Sequence, residues 1–258
     1  MGSTDSFTSD EMMSIAAARQ LSNNQVCFIG IGLPSKAANL ARRLHAPDLV
    51  MIYESGTLGA KPSRLPLSIG DGDLAETADT IVSVPEIFNY LLQPGRIDVG
   101  FLGAAQIDRH ANLNSTVIGT HRNPVVRLPG AGGAPEIAGA CKKVIVMLRQ
   151  SPRSFLNELP FVTSVGFGSG PGDREKYGLK GAGPVMVITD LGMLEPDPKT
   201  KELVFTHIHP NIEIEKVIES TGWNLRIADH LEVTEPPTEE ELEAIRSLVA
   251  AGGLPLVR

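Results

Sequence analysis

Apolar residues along this chain alternate between two periods. Met12, Ile15, Ala16 and Leu21 recur at helical intervals behind Thr8 and Glu11, whose spacing is that of a capping box. The run Val26-Cys27-Phe28-Ile29-Gly30-Ile31 then reads as a buried strand, closed by Gly32-Leu33-Pro34-Ser35. A helical stretch from Lys36 to Leu44 follows and stops before Pro47. A second apolar run, Leu49 to Tyr53, breaks at Glu54-Ser55-Gly56. The cycle repeats with a capping box at Ser83 and Glu86, a helical run Ile87 to Leu92, and a stop at Pro94-Gly95. Further strands are expected at Val99–Leu102, Lys143–Leu148 and Val185–Thr189. Thr238 and Glu241 open a last helix with Leu242, Ile245 and Leu248 on one face.

Continuous apolar strands alternating with helices define an α/β class: an open, mostly parallel sheet with helices on both faces. No composition break divides the chain, so residues 1–258 are read as one domain. A content of 42% hydrophobic and 21% charged residues is that of a globular chain and excludes a disordered one. The net charge of −7 gives no general attraction to nucleic acid or to an anionic membrane. Cys27 and Cys141 sit in or beside apolar runs and read as buried thiols, with neither a disulfide framework nor a zinc site around them. With no signal-peptide pattern and no membrane-length apolar run, a soluble, cytoplasmic protein is expected. Met1-Gly2-Ser3-Thr4-Asp5-Ser6 matches a loose acylation pattern, but acidic residues stand where a supporting basic patch belongs.

Ligands of open α/β sheets bind beyond the carboxyl ends of the strands. Gly30 to Pro34, Glu54-Ser55-Gly56 and Gly103 to Gln106 all follow expected strands, and Gly130 to Ala134 precedes a helix-like segment. Together they outline one rim of loops. Glu54 follows five apolar residues and precedes a turn, so its carboxylate should project from a strand end. As an isolated residue it would be an ordinary turn or capping acid. The glycine loop changes that, because glycine backbone brings N–H groups close to a reacting oxygen. A carboxylate nucleophile facing such donors suits acyl transfer.

Weaker patterns point elsewhere. Gly30-Ile31-Gly32-Leu33-Pro34-Ser35 has two glycines of a dinucleotide fingerprint, with Ser35 at the third. His207-Ile208-His209 offers two imidazoles without a third metal ligand nearby, and a structural or surface role is the plainer reading. Asp71-Gly72-Asp73 resembles a fragment of a calcium loop. Glu239-Glu240-Glu241 is a favourable helix start. No metal site is expected.

The segments GIGLPSKAANLA, YESGTLGA, SIGDGDLAETAD, GFLGAAQID, RLPGAGGAPEIA, SVGFGSG and HPNIEIEKVIESTGW resemble the β subunit of the glutamate-dependent CoA-transferases, over about Glu11 to Ala244. Within that family the 3-oxoadipate branch is the most similar, followed by the glutaconate branch. The resemblance implies Glu54 as the catalytic glutamate, with Ser55, Gly56 and Gly59 completing its turn. It also implies Gly130, Gly132, Gly133 and Ala134 as the oxyanion loop, and Gly30 and Gly32 as cleft residues, while Gln106 is expected at the cleft from its place after a strand. It further implies CoA as a substrate moiety, no permanent cofactor, and an α subunit that completes the cleft, usually in a heterotetramer. Succinyl-CoA and 3-oxoadipate are the expected substrates, with Lys61 and Arg127 as candidate partners for a far carboxylate. A CoA-ester or ring-opening hydrolase on the same scaffold, and a metabolite-binding module without catalysis, are the alternatives. Where the family often has Gly-Asn after its glutamine-aspartate segment, this chain has Ala111 before Asn112, so that turn is expected to be reshaped.

Overall fold

The structure is a computed structural model describing residues 7–251, which leaves the Met1–Ser6 acylation pattern outside the described residues. Thr8 caps the first helix, Ser9–Ala18, and forms the reciprocal capping box with Glu11. The strand Val26–Ile29 ends one residue before Gly30, and the next helix, Leu33–Leu44, begins earlier than its apolar pattern indicates, with Gly32 as its N-cap and Pro34 in its first turn. Proline is pre-set for that position because its missing N–H has no intrahelical partner there.

Among the described residues the main sheet has ten strands. Its centre runs Pro184–Ile188, Lys143–Met147, Val99–Leu102, Val26–Ile29 and Val50–Tyr53, all parallel. Antiparallel pairs flank this centre: Thr57–Leu58 and Thr80–Ile81 on one side, Gly192–Pro196 and Leu203–Ile208 on the other. Arg226–Val233 closes the second side in parallel with Leu203–Ile208. The sheet is thus mostly parallel where it is buried and mixed at its edges.

Alternation along each central strand divides the core in two. Cys27, Ile29, Met51, Tyr53, Ile145 and Met147 face the helices Ser9–Ala18, Leu33–Leu44 and Glu239–Ala251. Phe28, Ile52, Val144 and Val146 face the opposite layer, which contains Ile87, Leu92, Ile137 and Ala138. Both layers bury aliphatic side chains nearly completely, each worth ~1.5–3 kcal/mol relative to exposure.

Two local expectations give way. The helical run after Ser83 is a single α turn, Val84–Glu86, followed by a π-helix, Ile87–Leu92. The turn at Ala111 is not reshaped: Ala111 itself takes the left-handed conformation, φ +57°. That costs a non-glycine residue ~1–2 kcal/mol. Asp108 and Asn112 hold it there. Asp108 Oδ1 accepts from the His110 and Asn112 N–H groups at 2.9 and 3.0 Å, and Asn112 Oδ1 accepts from Gly166 and Gly168 at 3.0 Å each.

The two histidines of the His-Ile-His pattern separate. His207 lies on its strand beside Glu232, 3.4 Å away. His209 is 2% exposed and bridges Thr189 O and Thr234 Oγ1 at 3.0 Å each. A carbonyl only accepts, so Nε2 carries the proton and Nδ1 accepts from the Thr234 hydroxyl. Burial pushes His209 down to about 4. Its folded value lies below the ordinary 6.5, so the unfolded chain takes up the proton first as pH falls. The stability it confers is complete above pH 6.5 and is lost progressively toward pH 4. His209→Gln should therefore flatten the pH dependence of the unfolding midpoint across that window. An unchanged slope would assign the acid sensitivity to other groups.

Candidate active site

The parallel register pairs Ile29 with Tyr53, so both strands end on the same line and Gly30 and Glu54 leave the sheet side by side. Tyr53 is fully buried and its hydroxyl meets Ser35 Oγ at 3.1 Å. Glu54 is the first residue beyond the core and is half-buried. Ser35, the third position of the dinucleotide-like pattern, is thus spent inside the core.

A tight turn carries Glu54. Gly56 N–H donates to Tyr53 O at 3.0 Å, and Gly56 sits at φ +110° against the next strand. A Cβ there would fall 2.0 Å from Val82 O, which only glycine avoids. Gly59 lies against the Asp79 carboxylate. Among the described residues no hydrogen bond or ion pair claims the Glu54 carboxylate. The Ser55 hydroxyl beside it is buried and unpaired.

The glycine loop closes over this carboxylate. A Cβ on Gly133 would lie 3.2 Å from Glu54 Oε1 and 2.5 Å from Phe88 Cζ, and one on Gly132 would lie 4.0 Å from Oε1. Ala134 opens the helix Ala134–Ala140 that follows. The N–H groups of Ala131, Gly132 and Gly133 donate to no described residue. They are free donors beside a free carboxylate. Gly30, Gly32 and Gly130 border open space, since a Cβ on any of them meets nothing within 4 Å.

The loop is fastened from below. Gly130 N–H donates to Ser115 O at 2.8 Å, and the Ser115 hydroxyl donates back to Gly130 O at 2.7 Å. Gln106 belongs to this support rather than to the rim. Its carboxamide accepts from Asn114 Nδ2 at 2.8 Å and donates to Arg153 O at 3.3 Å, with only 6% of the residue exposed. Lys61 pairs with Asp79, and Arg127 donates to His121 O at 2.8 Å. Asp71 caps the short helix Gly72–Glu76, and hydrogen bonds from the Arg64 guanidinium hold its carboxyl at about 2. Among the described residues no cluster of His, Cys, Asp and Glu is built to hold a metal ion, and no helix is long and apolar enough to cross a membrane. Sequence reasoning missed Phe88, whose residue type alone marks it as just another apolar position.

A strand-end carboxylate with no internal partner lies beside unused backbone donors, an arrangement compatible with group transfer. The chain belongs to the Coenzyme A transferase family, whose pattern matches residues 10–220. It is 60% identical over 244 residues to the B-subunit of 3-oxoadipate CoA-transferase from Pseudomonas knackmussii, spanning 95% of this chain and 94% of that one. It is 37% identical over 258 residues to the B-subunit of glutaconate CoA-transferase from Acidaminococcus fermentans, spanning 98% and 96%. The crystal structure of the Acidaminococcus glutaconate CoA-transferase superposes with a TM-score of 0.88 at 36% identity, covering 93% and 94%. The protein is therefore a CoA-transferase chain of the B-subunit type, with CoA as a moiety of its substrates.

Gly133→Ala tests the geometry directly. The added methyl must displace the Phe88 ring and press on the Glu54 carboxylate, and misplacement of a reacting group by as much as ~1 Å costs about a hundredfold in rate. Transfer by the assembled enzyme should fall by that order with assembly intact. An undiminished rate would show that the loop does not act at Glu54.

Proposed function

We propose that this chain is the glutamate-bearing subunit of a cytosolic enzyme that moves CoA from succinyl-CoA to 3-oxoadipate through a glutamyl-CoA thioester on Glu54. The observation that carries the mechanism is the approach of Gly132 and Gly133 to the unpartnered Glu54 carboxylate. The 60% identity to a 3-oxoadipate enzyme subunit supports the choice of acceptor.

The chemistry follows from those positions. A Glu54 oxygen attacks the thioester carbonyl, the C–S bond breaks, and an acyl-glutamyl anhydride forms with release of CoA thiolate. The free N–H groups of the Ala131–Gly133 segment are the donors at hand for the oxyanion that develops as the tetrahedral centre forms. The thiolate then attacks the glutamyl carbonyl and expels the donor acid, leaving glutamyl-CoA. The acceptor carboxylate repeats the two steps in reverse order, regenerating Glu54 and giving the new acyl-CoA. Holding the reactants against this rigid rim supplies on the order of 7–11 kcal/mol of barrier reduction at best. Each step conserves charge without a redox partner.

Both relatives are named as B-subunits, which supports a second, α-type subunit here as well. That second chain would cover the open side bordered by Gly30, Gly32 and Gly130, in a heterotetramer. Lys61 is already neutralised by Asp79, and the Arg127 guanidinium is engaged with a backbone carbonyl. Neither is a ready partner for a far carboxylate, which supports a contact supplied by the partner subunit.

The test pairs this chain with its partner subunit, adds succinyl-CoA, reduces with borohydride and maps peptides by mass spectrometry. Reduction of Glu54 to the alcohol, dependent on acyl-CoA, is the expected result, with Glu54→Gln giving neither adduct nor transfer. Release of free CoA without an adduct would favour a hydrolase. Transfer retained in Glu54→Gln would remove Glu54 from the chemistry altogether.

A further inference from the structure

Acyl-glutamyl anhydrides and glutamyl thioesters are open to water, so a transferase must keep water from a carbon that a carboxylate still reaches. The glycine loop offers donors but little cover, because Gly130, Gly132 and Gly133 have no side chains and Ala131 has only a methyl. Phe88 provides the cover. Its ring and the Glu54 carboxylate close on the same side of Gly133: a Cβ there would meet Phe88 Cζ at 2.5 Å, Phe88 Cε1 at 2.8 Å and Glu54 Oε1 at 3.2 Å. The ring is half-buried and lies edge-on to Phe28, centroids 6.0 Å apart and planes at 67°.

The π-helix explains how the ring is held there. Ile87 and Leu92 are both fully buried in the same core layer, five positions apart. An α turn would set them about 140° apart around the axis. A turn closed by i→i+5 bonds brings them onto nearly one side. Gln93 N–H donates to Phe88 O at 2.9 Å and Arg96 N–H to Leu91 O at 2.9 Å, which are bonds of that kind. The two buried neighbours fix the turn, and the turn fixes the direction of Phe88.

We infer that Phe88 shields the glutamyl intermediate and sets the partition between an acid and water as the acceptor. The inference rests on the glutamyl-thioester reading above. In the reaction it suppresses, water oxygen adds to the glutamyl carbonyl and the C–S bond breaks; one proton of the water goes to the sulfur and the other is released to solvent. CoA leaves as the thiol and the Glu54 carboxylate is restored. Phe88 acts by excluding solvent and by backing Gly133, so its loss should change the fate of the intermediate more than its formation.

The experiment measures two rates in the complete two-subunit enzyme with succinyl-CoA: free thiol released without acceptor, and acceptor-CoA formed with it. Phe88→Ala is expected to raise the ratio of hydrolysis to transfer by about tenfold or more, equivalent to ~1.4 kcal/mol of relative barrier. Phe88→Leu keeps apolar bulk and should give a smaller rise, so the ratio grades with side-chain size. If Phe88→Ala does not assemble, Phe88→Leu alone decides, and a wild-type ratio in it overturns the proposal. Equal losses in both rates, or an unchanged ratio in Phe88→Ala, overturn it as well. Absence of the Glu54 adduct in the wild-type enzyme sinks the glutamyl reading and this inference with it. An adduct in the wild type with an unmoved ratio in the variants sinks the role of Phe88 alone.

Discussion

The shared end-point of two parallel strands governs the rest of this molecule. Val26–Ile29 and Val50–Tyr53 pair without a shift, so the core stops at the same line on both. One position earlier, at Tyr53, the side chain is sealed from solvent and only a hydroxyl with a partner is tolerated. An unpaired carboxylate there would cost several kcal/mol. Glu54 occupies the first place beyond the core, directly after the strand that holds its backbone. If Glu54 is the nucleophile, as proposed, it inherits the rigidity of the sheet at that boundary.

Glycines around this group serve two separate purposes. At Gly56 and Gly133 the neighbours leave no volume for a Cβ, so these glycines permit close approach: the turn against Val82 in one case, the loop against Glu54 and Phe88 in the other. Gly30, Gly32 and Gly130 have empty space beside them, which suits a surface that receives a ligand or a second subunit. The loop that bears the donors gains its precision from elsewhere. The reciprocal Ser115–Gly130 bonds rest on Asn114, which rests on Gln106. Each bond is worth only ~1 kcal/mol, yet together they leave the loop few alternatives.

Much of this was readable from residue order alone. The capping pairs Thr8–Glu11 and Ser83–Glu86, the central strands and the exit of Glu54 all follow from local patterns that the tertiary structure keeps. Two strands beyond the parallel centre were not readable. Gly192–Pro196 has only two large apolar residues among glycine, glutamate and proline, and Arg226–Val233 interleaves charged with apolar residues and exposes much of its length, so neither carries a continuous apolar signal. Ala111 misled for a different reason. Its left-handed backbone is maintained by Asp108 and Asn112 against its own preference, a tertiary cost that residue type does not reveal. Gln106 read as a cleft residue because it follows a strand, although its carboxamide turns inward to Asn114. Phe88 was invisible because its contact with Gly133 depends on a π turn and on a loop distant in sequence.

Under the proposed reading, this division of labour explains why a chain with a complete core leaves its reactive centre half furnished. It supplies the nucleophile, three unused backbone donors and one aromatic cover, while the Ser55 hydroxyl is buried without a partner and three glycines border open space. A buried hydroxyl left unpaired costs ~1–3 kcal/mol, a cost that a partner subunit or substrate can remove on arrival. Of the cations beside the site, Lys61 is paired with Asp79 and Arg127 donates to His121 O. On that reading the chain would supply the chemistry common to every acid–CoA pair, with discrimination among acids left to what covers it. Such a separation lets acceptor preference change in the covering subunit while the register that places Glu54 stays untouched.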